Sequence, residues 1–360
     1  MTSERSSLGF AIVGCGGAAR DIAGGIDRAA GARLIAVHDR EPRHARELAA
    51  GGEATVHRTL AALLRDRRVD VVCIALPHDL LAQTAVKVLR AGRHVVVETP
   101  AATNGRGIRA IRDAAIRADR SVGVMFDLRH LPTVAAARRL VDTGALGRLR
   151  AVRIRTLIDK PADYWASGPT GAVLDPWRAS RARAGGGVVL MNAIHQFDLV
   201  RAITGLEPLR VSGLAATRVA GVEVEDAAVA TIAWSGDVLG SLVANAHAPG
   251  AASAETIEID GDDGALRLGD LYQSQPELQW FRRPAATGPD AERGRWHRER
   301  GAPSDPFAAT IAGFADAIRS GRPLAPGLAD ADIALATVLA LYRSARSRRF
   351  EPVRPVAAAE

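Results

Sequence analysis

Lysine is almost absent from this chain. Of its 360 residues, 47 are lysine or arginine, yet only Lys87 and Lys160 are lysines. The formal net charge is +7 and the isoelectric point is near 10.3, a bias typical of GC-rich codon usage. The arginines are scattered, and aromatic residues make up only 4%. The chain therefore lacks the basic run and the stacking platform of a nucleic-acid-binding protein, and we expect no nucleic-acid partner.

Cysteine is nearly absent as well. Cys15 and Cys73 lie in the apolar runs "AIVGCGG" and "DVVCIAL", without a CxxC motif or a histidine at ligand spacing. Two such cysteines make neither a disulfide framework nor a zinc site. We expect buried, unreactive thiols and no bound metal.

Long hydrophobic runs are also missing. No stretch approaches the roughly 18 uninterrupted apolar residues of a membrane span. The amino-terminal "LGFAIVG" is too short for the core of a signal peptide and leads into glycines, so we interpret it as a first strand. These absences predict a soluble, cytoplasmic protein with no membrane partner.

The composition is that of a globular protein, with 48% hydrophobic and 24% charged residues, and the length suits two domains. In the first third, short apolar runs alternate with helical stretches, which indicates a parallel sheet buried on both faces. This pattern predicts an α/β, doubly wound, Rossmann-type domain over residues 1–127. The predicted strands are "GFAIVG", "RLIAVHD", "ATVHR", "VDVVCIAL", "HVVVE" and "SVGVMFD", and the predicted helices span about 18–30, 42–50, 59–66, 80–91 and 105–119.

The first strand runs into the turn "GCGGAA" at residues 14–19. This turn matches the dinucleotide-binding fingerprint in the form that ends in alanine. Gly14 allows the tight turn, Gly16 lets a pyrophosphate approach the backbone, and Ala19 allows the helix to pack closely on the strand. We assign Gly17 and Ala18 to the same phosphate-binding turn. The alternative is a glycine-rich turn without a ligand.

Asp39 ends the second predicted strand, 23 positions after Gly16, where a ribose-binding carboxylate is expected after roughly 20. A carboxylate favours NAD, because it accepts hydrogen bonds from the 2′-hydroxyl and repels a 2′-phosphate. Arg40 and Arg43 adjoin it and could hold that phosphate if Asp39 turned away. The predicted cofactor is therefore NAD, with NADP left open.

After residue 127 the pattern changes, and we predict a second, α+β domain over residues 128–360. A helix over about 132–143 precedes the alternating strand "LRAVRIRTLI", a loop over 159–186 and a helix in "GVVLMNAIHQFDLVRAITG". Strands then dominate, with turns at 235–237 and 261–264, which predicts an open, mostly antiparallel sheet. The predicted strands are 209–217, 226–234, 238–246, 254–260 and 264–268; a surface loop is predicted over 283–305, and closing helices over about 306–319 and 329–347.

Across nearly its whole length the chain resembles the glucose-fructose oxidoreductase and inositol dehydrogenase (Gfo/Idh/MocA) family. Besides the glycine-rich turn, the resemblance rests on "AGRHVVVETP", where the family has a Glu-Lys-Pro turn. It also rests on "PWRASRARAGGGVVLMNAIHQFDLVRAITG", which is similar to the family's Trp-Arg, triple-glycine and Gly-x-His-x-x-Asp region. The resemblance implies hydride transfer between a nicotinamide and a ring carbon of a sugar or cyclic polyol. It also implies a second-domain sheet that forms a homo-oligomer, a dimer or a tetramer.

Hydride transfer from an alcohol needs a group that takes the hydroxyl proton, and His195 is our candidate. It lies on the helix that follows the triple glycine, three residues after Asn192, so both side chains project from one face. Asn192 replaces the aspartate of many relatives and can both donate to and accept from a substrate hydroxyl. Asp198 could orient the imidazole or pair elsewhere. The alternative for His195 is a structural histidine.

Thr99 stands where the family has the lysine of its Glu-Lys-Pro turn. In the family that lysine is implied to reach the substrate oxygen as proton donor or electrostatic stabiliser. A threonine hydroxyl donates one hydrogen bond but carries no charge. Losing a general acid or base typically costs about 10²–10⁴-fold in rate.

Three explanations of Thr99 follow. Another group, His195, Lys160 or Tyr164, supplies the proton or the charge; for Lys160, in "IDKPADYW", we expect a solvated surface side chain rather than this role. Alternatively, the substrate is a conjugated system or an iminium that accepts hydride without an acid, as implied by the similar biliverdin reductases. In the third, redox chemistry is lost, and the chain is a nucleotide-binding sensor or scaffold or uses NAD for a non-redox reaction. We favour a working oxidoreductase with an atypical substrate, an intermediate of a specialised biosynthetic pathway.

The resemblance assigns further residues to the cofactor side of the cleft. They are Glu98, Thr99 and Pro100 after the fifth strand, Leu76, Pro77 and His78 after "CIAL", and Trp177 with Arg178 in the Trp-Arg pair. Alternatives remain for several: a helix-capping carboxylate for Glu98, a plain turn for His78, and structural packing for Trp177. Arg178 could bind a hydroxyl or an anion, and Arg129 and Pro132 resemble the family's crossing into the second domain.

Overall fold

In the computed structural model, which describes residues 7–168, 171, 175–219, 221–251, 254–284 and 294–356, the amino-terminal half contains a parallel six-stranded sheet. Its strand order is β3-β2-β1-β4-β5-β6, which confirms the predicted doubly wound fold. The strands are β1 Leu8–Val13, β2 Ala32–His38, β3 Thr55–Val56, β4 Val71–Ile74, β5 His94–Val97 and β6 Val122–Val124, and the helices are α1 Gly17–Arg28, α2 Pro42–Ala49, α3 Leu60–Arg65, α4 His78–Arg90 and α5 Gly105–Ala118.

Burial of both sheet faces explains the unbroken apolar runs in the sequence. Every side chain of β4 is buried, and in β1 only Leu8 is partly exposed. Each fully buried valine or isoleucine stabilises the fold by about 1.5–3 kcal/mol relative to an exposed one. Because the strands are parallel, their carboxyl ends meet at one edge, and the strand order reverses between the neighbouring strands β1 and β4. Ligands of such sheets bind at this edge.

The second half contains a nine-stranded sheet in the order β14-β13-β12-β11-β7-β10-β9-β8-β15. It is antiparallel except for the pair β7–β10, so the predicted open, mostly antiparallel sheet is confirmed. The strands are β7 Leu149–Leu157, β8 Pro208–Ala216, β9 Ala227–Trp234, β10 Leu239–Asn245, β11 Ala254–Gly261, β12 Gly264–Gly269, β13 Glu277–Arg282, β14 Trp296–Arg300 and β15 Glu351–Pro352; the helices are α6 Pro132–Asp142, α7 Tyr164–Ser167, α8 Arg181–Ala184, α9 Ile194–Thr204, α10 Pro306–Arg319 and α11 Leu328–Ser347.

The prediction of a surface loop over 283–305 is wrong for the segment that contains β14. This strand pairs with β13, which the sequence patterns also missed, and the rings of Trp280 and His297 stack at 3.9 Å across the pair. The edge strand β14 is mostly exposed and charged, so it lacks the apolar alternation that predicts a strand. Residues 285–293, within the same predicted loop, lie outside the described part of the chain.

The helix predicted over 187–205 begins with one π-helical turn, Val189–Ala193, before α9. Glu225 caps this start, because its carboxylate accepts from the backbone N–H groups of Gly187 at 2.8 Å and Val189 at 3.0 Å. A Cβ on Gly187 would collide with the carbonyl oxygen of Glu225. The glycines therefore allow this backbone approach, and the approach places the helix that carries His195.

After the second sheet the chain returns to the first half. Ile311 and Phe314 of α10 are buried in one cluster with Phe10 and Ile12 of β1, and the backbone N–H of Val124 donates to the carbonyl of Pro326. The boundary at residue 127 stays a prediction. None of the helices in the described parts of the chain is long and apolar enough to cross a membrane.

Candidate active site

A cavity of about 350 Å³ lies at the carboxyl edge of the parallel sheet, with walls from both halves of the chain. Most of the residues predicted to bind cofactor or substrate line it: Gly14, Gly16, Gly17, Ala18, Asp39, Arg40, Leu76, Pro77, His78, Glu98, Thr99, Tyr164, Trp177, Arg178 and His195. Four predicted residues, Ala19, Pro100, Lys160 and Asn192, are outside this lining. Ala19 lies on the buried face of α1, as its predicted packing role requires.

The turn after β1 has the shape that a pyrophosphate needs. Gly14 adopts a φ of 87°, and a Cβ there would collide with the carbonyl oxygen of Ala75. A Cβ on Gly16, in contrast, would meet no protein atom within 4 Å, so the backbone at Gly16 borders open space. Helix α1 begins at Gly17 without a side-chain cap or an acidic residue in its first turn, which leaves its N–H groups available to an anion.

Asp39 is held at the rim of the cavity by two backbone groups. Its carboxylate accepts from the N–H of Cys15 at 2.7 Å and from the N–H of Glu41 at 2.7 Å. Arg40, left open as a 2′-phosphate ligand, lies 3.8 Å from the carboxylate of Glu41 and 4.0 Å from that of Asp175. This arginine therefore already has acidic partners, which favours NAD over NADP.

Glu98 lines the cavity where β5 ends. Its carboxylate accepts from the N–H of Thr99 at 3.2 Å, and burial, followed by the charge of nearby Asp127, raises the pKa of Glu98 to about 8. It does not cap the following helix, since Asn104 caps α5. Pro100 is buried behind the cavity wall and follows a cis peptide bond.

His78 is the first residue of α4 and links the two halves. Its Nδ1 lies 2.8 Å from the carbonyl oxygen of Ala184, and its ring lies 4.6 Å from that of Trp177. Burial lowers the pKa of His78 to about 4, so the ring is neutral near pH 7 and Nδ1–H donates to the carbonyl. Trp177 thus packs on His78 and lines the cavity at the same time.

His195 reaches across the cavity to Thr99. Its Nε2 lies 3.3 Å from the Oγ1 of Thr99, and the edge of Phe126 lies against the ring. Its Nδ1 is buried and has no partner in the described part of the chain, so Nε2 is the nitrogen available to a ligand. Burial lowers the pKa of His195 to about 4, and the imidazole is neutral near pH 7.

Asp198 pairs with Arg129 and does not orient the imidazole. The guanidinium donates to both carboxylate oxygens, at 2.7 and 2.5 Å, and also lies 2.9 Å from the carboxylate of Asp330 on α11. Of the two possibilities for Asp198, pairing elsewhere is the one observed. Arg129, which the resemblance placed at the crossing between the halves, ties α9 to α11, and Pro132 begins α6.

Lys160 is buried, so the expectation of a solvated surface lysine is wrong. Only 5% of the residue is exposed. Its Nζ donates to the Oδ1 of Asn192 at 2.6 Å and to the hydroxyl of Tyr164 at 3.1 Å. Tyr164 lines the cavity, and Lys160 and Asn192 lie behind it. The structure therefore brings three of the predicted catalytic residues together.

Tyr164 lies between two cations. The guanidinium of Arg178 is 4.4 Å from the ring centre of Trp177 and 5.6 Å from that of Tyr164, on the same cavity wall. Burial raises the pKa of Tyr164, but the charges of Lys160 and Arg178 and the hydrogen bonds from both outweigh it. The pKa of Tyr164 therefore lies below its usual value.

Several lining residues were missed from the sequence. Asp175 forms an ion pair with Arg183, which also lies 3.5 Å from the carboxylate of Asp79. Met191 lines the cavity beside Tyr164, with 4.0 Å between its sulfur and the hydroxyl. The other missed residues are Glu41, His44, Ala75, Leu80 and Ser167. Apart from Tyr164 and the Trp-Arg pair, no spacing or motif in the loop over 159–186 indicates which side chains turn inward.

Two family models match the chain in succession. Residues 8–126 match the model described as "Oxidoreductase family, NAD-binding Rossmann fold", and residues 134–267 match the "GFO/IDH/MocA C-terminal domain". The chain belongs to the Gfo/Idh/MocA family. Its amino-terminal part is an NAD-binding Rossmann domain, and the protein is an oxidoreductase.

Individual relatives agree with this assignment. Inositol 2-dehydrogenase of Rhizobium meliloti is 26% identical over 94% of this chain and 97% of its own length. Levoglucosan dehydrogenase of Pseudarthrobacter phenanthrenivorans is 29% identical over 61% of this chain and 59% of its own length. The crystal structure of an oxidoreductase domain protein from Kribbella flavida has a TM-score of 0.86 at 26% identity, with 97% of this chain and all of that one covered. These relatives give no support to a protein without redox activity.

The neutral state of His78 has a consequence for stability. The folded protein holds its pKa at about 4, whereas an unfolded histidine titrates near 6.5, so the unfolded state binds the additional proton as the pH falls from about 6.5 to 4. The contribution of His78 to the free energy of unfolding is full above pH 6.5 and declines below it. The stability advantage of the wild type over His78→Gln, measured by urea unfolding, should therefore be smaller at pH 5 than at pH 7.5. An equal or larger advantage at pH 5 would contradict a buried neutral imidazole.

Proposed function

We propose that the protein catalyses NAD-dependent hydride transfer at a hydroxyl-bearing ring carbon of a cyclic polyol or sugar-like molecule, or at the corresponding ketone. The observation that carries this proposal is the position of His195, whose Nε2 lies 3.3 Å from Thr99 Oγ1 inside the cavity that the glycine-rich turn also lines. The names of the inositol and levoglucosan dehydrogenases support the substrate class.

In this proposal the amino-terminal half holds the cofactor. The turn at Gly14, Gly16 and Gly17 and the start of α1 bind the pyrophosphate, and Asp39 accepts from the adenosine ribose. The lining residues Leu76, Pro77, Glu98 and Thr99 extend the cofactor site along the carboxyl ends of β4 and β5. NAD, when bound, supplies the acceptor for the hydride that leaves the carbinol carbon.

His195 is the proton-exchanging group. In the oxidation direction its neutral Nε2 accepts the hydroxyl proton of the substrate while the C–H bond of the same carbon breaks, so that the alcohol loses one proton and one hydride. In the reduction direction the protonated imidazole returns the proton to the oxygen. A base that is neutral at the working pH is available for the oxidation without prior deprotonation.

The threonine at position 99 limits the range of possible substrates. Because Thr99 is shorter than the family's lysine and leaves the charge to another group, the pocket beside the reacting oxygen differs from that of ordinary sugar dehydrogenases, and we place the natural substrate outside ordinary sugar catabolism, among the intermediates of a specialised biosynthetic pathway. Tyr164, Trp177 and Arg178 make the opposite wall partly aromatic, which suits a ring with one apolar face.

We also propose that the protein forms a homo-oligomer through the outer face of the second sheet. Leu214, Val229 and Val243 lie side by side across β8, β9 and β10, and each is exposed, at 56%, 57% and 42%. A strip of adjacent apolar side chains on one sheet face is suited to a second copy of the same face in a closed dimer.

Asp39 should set the choice of cofactor. Replacing it with serine removes the charge that repels a 2′-phosphate and leaves the cations of Arg40 and Arg43 next to that position. For Asp39→Ser we expect the ratio of NADPH to NADH affinity to rise by about tenfold or more, equivalent to about 1.4 kcal/mol, in fluorescence titrations. The distant surface variant Asp142→Ser should leave the ratio unchanged. An unchanged ratio in Asp39→Ser would show that Asp39 does not contact the ribose.

His195 should be required for turnover. His195→Ala is expected to lower kcat by about 10²–10⁴-fold while NADH binding persists, measured by nicotinamide absorbance with inositol, levoglucosan and related cyclic polyols and ketones. His297, on the edge strand β14 and outside the cavity lining, is a matched control, and His297→Ala should keep the wild-type rate. A His195→Ala enzyme at full rate would refute the assignment of the base, and NADH binding without turnover of any substrate would favour a sensor or scaffold.

The apolar strip should hold the oligomer together. Val229→Arg places a charge at its centre, which cannot be buried without a partner, and we expect a monomer by light scattering where the wild type is a dimer or tetramer. Ile116, exposed on α5, offers the matched control Ile116→Arg, which should leave the mass unchanged. A monomeric wild type, or an unaltered mass in Val229→Arg, would contradict the proposal.

A further inference from the structure

Lys160 is a buried cation whose hydrogen-bond partners are both neutral. They are the amide oxygen of Asn192 and the hydroxyl of Tyr164, at 2.6 and 3.1 Å. No carboxylate among the described residues lies within 4 Å of its Nζ, although the arginines of the chain form many such pairs. A buried cation without a carboxylate in hydrogen-bond contact is costly, and such groups cluster at functional sites.

The backbone holds Lys160 in this position. It lies three residues after β7, and its N–H donates to the carbonyl of Ala246 at 2.9 Å, while Asp159 bridges to His247. Both contacts tie the segment to the chain just beyond β10. The backbone at Lys160 is therefore fixed to the second sheet and is not part of a free loop. This gives the ammonium group a defined position.

Tyr164 carries the effect of this charge into the cavity. The Nζ of Lys160 lies 4.3 Å from the centre of the phenol ring, and the ring lines the same cavity as Thr99 and His195. Asn192, which holds Lys160, precedes His195 by three residues on the same helical segment. The lysine, the phenol and the imidazole are thus parts of one connected arrangement.

We propose that Lys160, acting through Tyr164, provides the donor and the positive charge that Thr99 cannot provide, so that the reacting oxygen of the substrate is held between the Tyr164 hydroxyl and His195 Nε2. This inference rests on the proposed function and deepens it. Tyr164 is the catalytic residue, because it touches the substrate, and Lys160 is a positioning residue that acts through it.

The proton balance of the reaction is unchanged by this arrangement. In the oxidation the substrate proton passes to His195, and the Tyr164 O–H donates a hydrogen bond to the oxygen as negative charge develops on it. In the reduction the same O–H polarises the carbonyl, and His195 supplies the proton. Tyr164 keeps its own proton throughout. A phenol with a lowered pKa is a stronger donor to a developing oxyanion than an ordinary one.

The groups around Tyr164 decide how it titrates. Burial raises its pKa, and the cations Lys160 and Arg178 lower it further than burial raises it. Glu255 lies behind Lys160, with a pKa that burial raises to about 7, and it can become negative at high pH and weaken the effect of the lysine. His78, near both cations, is neutral. Removing the charge of Lys160 should therefore move the pKa of Tyr164 upward.

The first experiment needs no substrate. The chain has three tyrosines. Desolvation by the surrounding protein and nearby carboxylates raise the pKa of the other two, Tyr272 and Tyr342, so the earliest phenolate absorbance in an alkaline titration of the NADH-loaded protein belongs to Tyr164. We expect this first transition below the usual tyrosine range, lost in Tyr164→Phe and moved to higher pH in Lys160→Met.

The second lysine gives a matched control. Lys87 is exposed on α4, and Lys87→Met should leave the titration as in the wild type. Thermal melting of each variant checks the fold. If Lys160→Met does not fold, Lys160→Arg, which keeps the charge, is used instead and should show the same early transition as the wild type. A first transition at the ordinary tyrosine value, or one that Lys160→Met leaves in place, would overturn the inference.

The second experiment uses the substrate found among the cyclic polyols and ketones. Tyr164→Phe should lower kcat by about 10²–10³-fold, and Lys160→Met by up to about 10²-fold, with smaller changes in KM. Because a phenolate cannot donate, wild-type kcat should fall as the pH rises through the pKa of Tyr164. This alkaline limb should move to higher pH in Lys160→Met and disappear in Tyr164→Phe.

Restoring the family's lysine provides a rescue. In the double variant Thr99→Lys/Lys160→Met, a lysine stands at the family's position, and we expect kcat to recover at least about tenfold over Lys160→Met. The inference would be overturned if kcat of the double variant did not recover and the alkaline limb of kcat stayed at the same pH in Lys160→Met as in the wild type. Absence of turnover in the wild type would defeat the proposed function, while the titration would still decide whether Lys160 controls Tyr164.

Discussion

The hydrogen bond between Thr99 Oγ1 and His195 Nε2 is the contact on which the site depends, because it joins the end of β5 to the helix of the second half. The glycine-rich turn, Asp39 and Glu98 lie along the same carboxyl edge. A nucleotide bound at that edge would therefore extend toward an imidazole that burial keeps neutral. In the proposed mechanism the two halves contribute different chemistry, since the first holds the cofactor and the second supplies the proton-exchanging group.

The substitution of the family's lysine by Thr99 does not leave the site without a cation. Lys160 lies behind Tyr164, anchored to the second sheet and hydrogen-bonded to Asn192 and Tyr164. A charge can stabilise a developing charge in the reaction when it is held rigidly in a desolvated position. In a chain with 47 basic residues, of which only two are lysines, a buried lysine at this position is an exception to the general preference for arginine.

The sequence predicted the first half well, since an unbroken apolar run and a following glycine turn are local features with a direct structural cause. Asp39 was predicted from its spacing after the glycine turn, and Thr99 and His195 were predicted from the resemblance to the family; all three line the cavity. The sequence failed for Lys160, whose burial depends on Asn192, 32 residues away, and for β14, whose exposed, charged side chains resemble a loop. The partner of Asp198 likewise required the packing of α9 against Arg129, which no spacing reveals.

A crystal structure of the protein with bound NADH tests the central claim most directly. We expect the nicotinamide ring to lie beside Thr99, with its reactive carbon facing the space between His195 Nε2 and the Tyr164 hydroxyl. That space should be small enough for one substrate molecule to contact both groups. A nicotinamide that points away from that space, or a cofactor bound elsewhere on the chain, would contradict it.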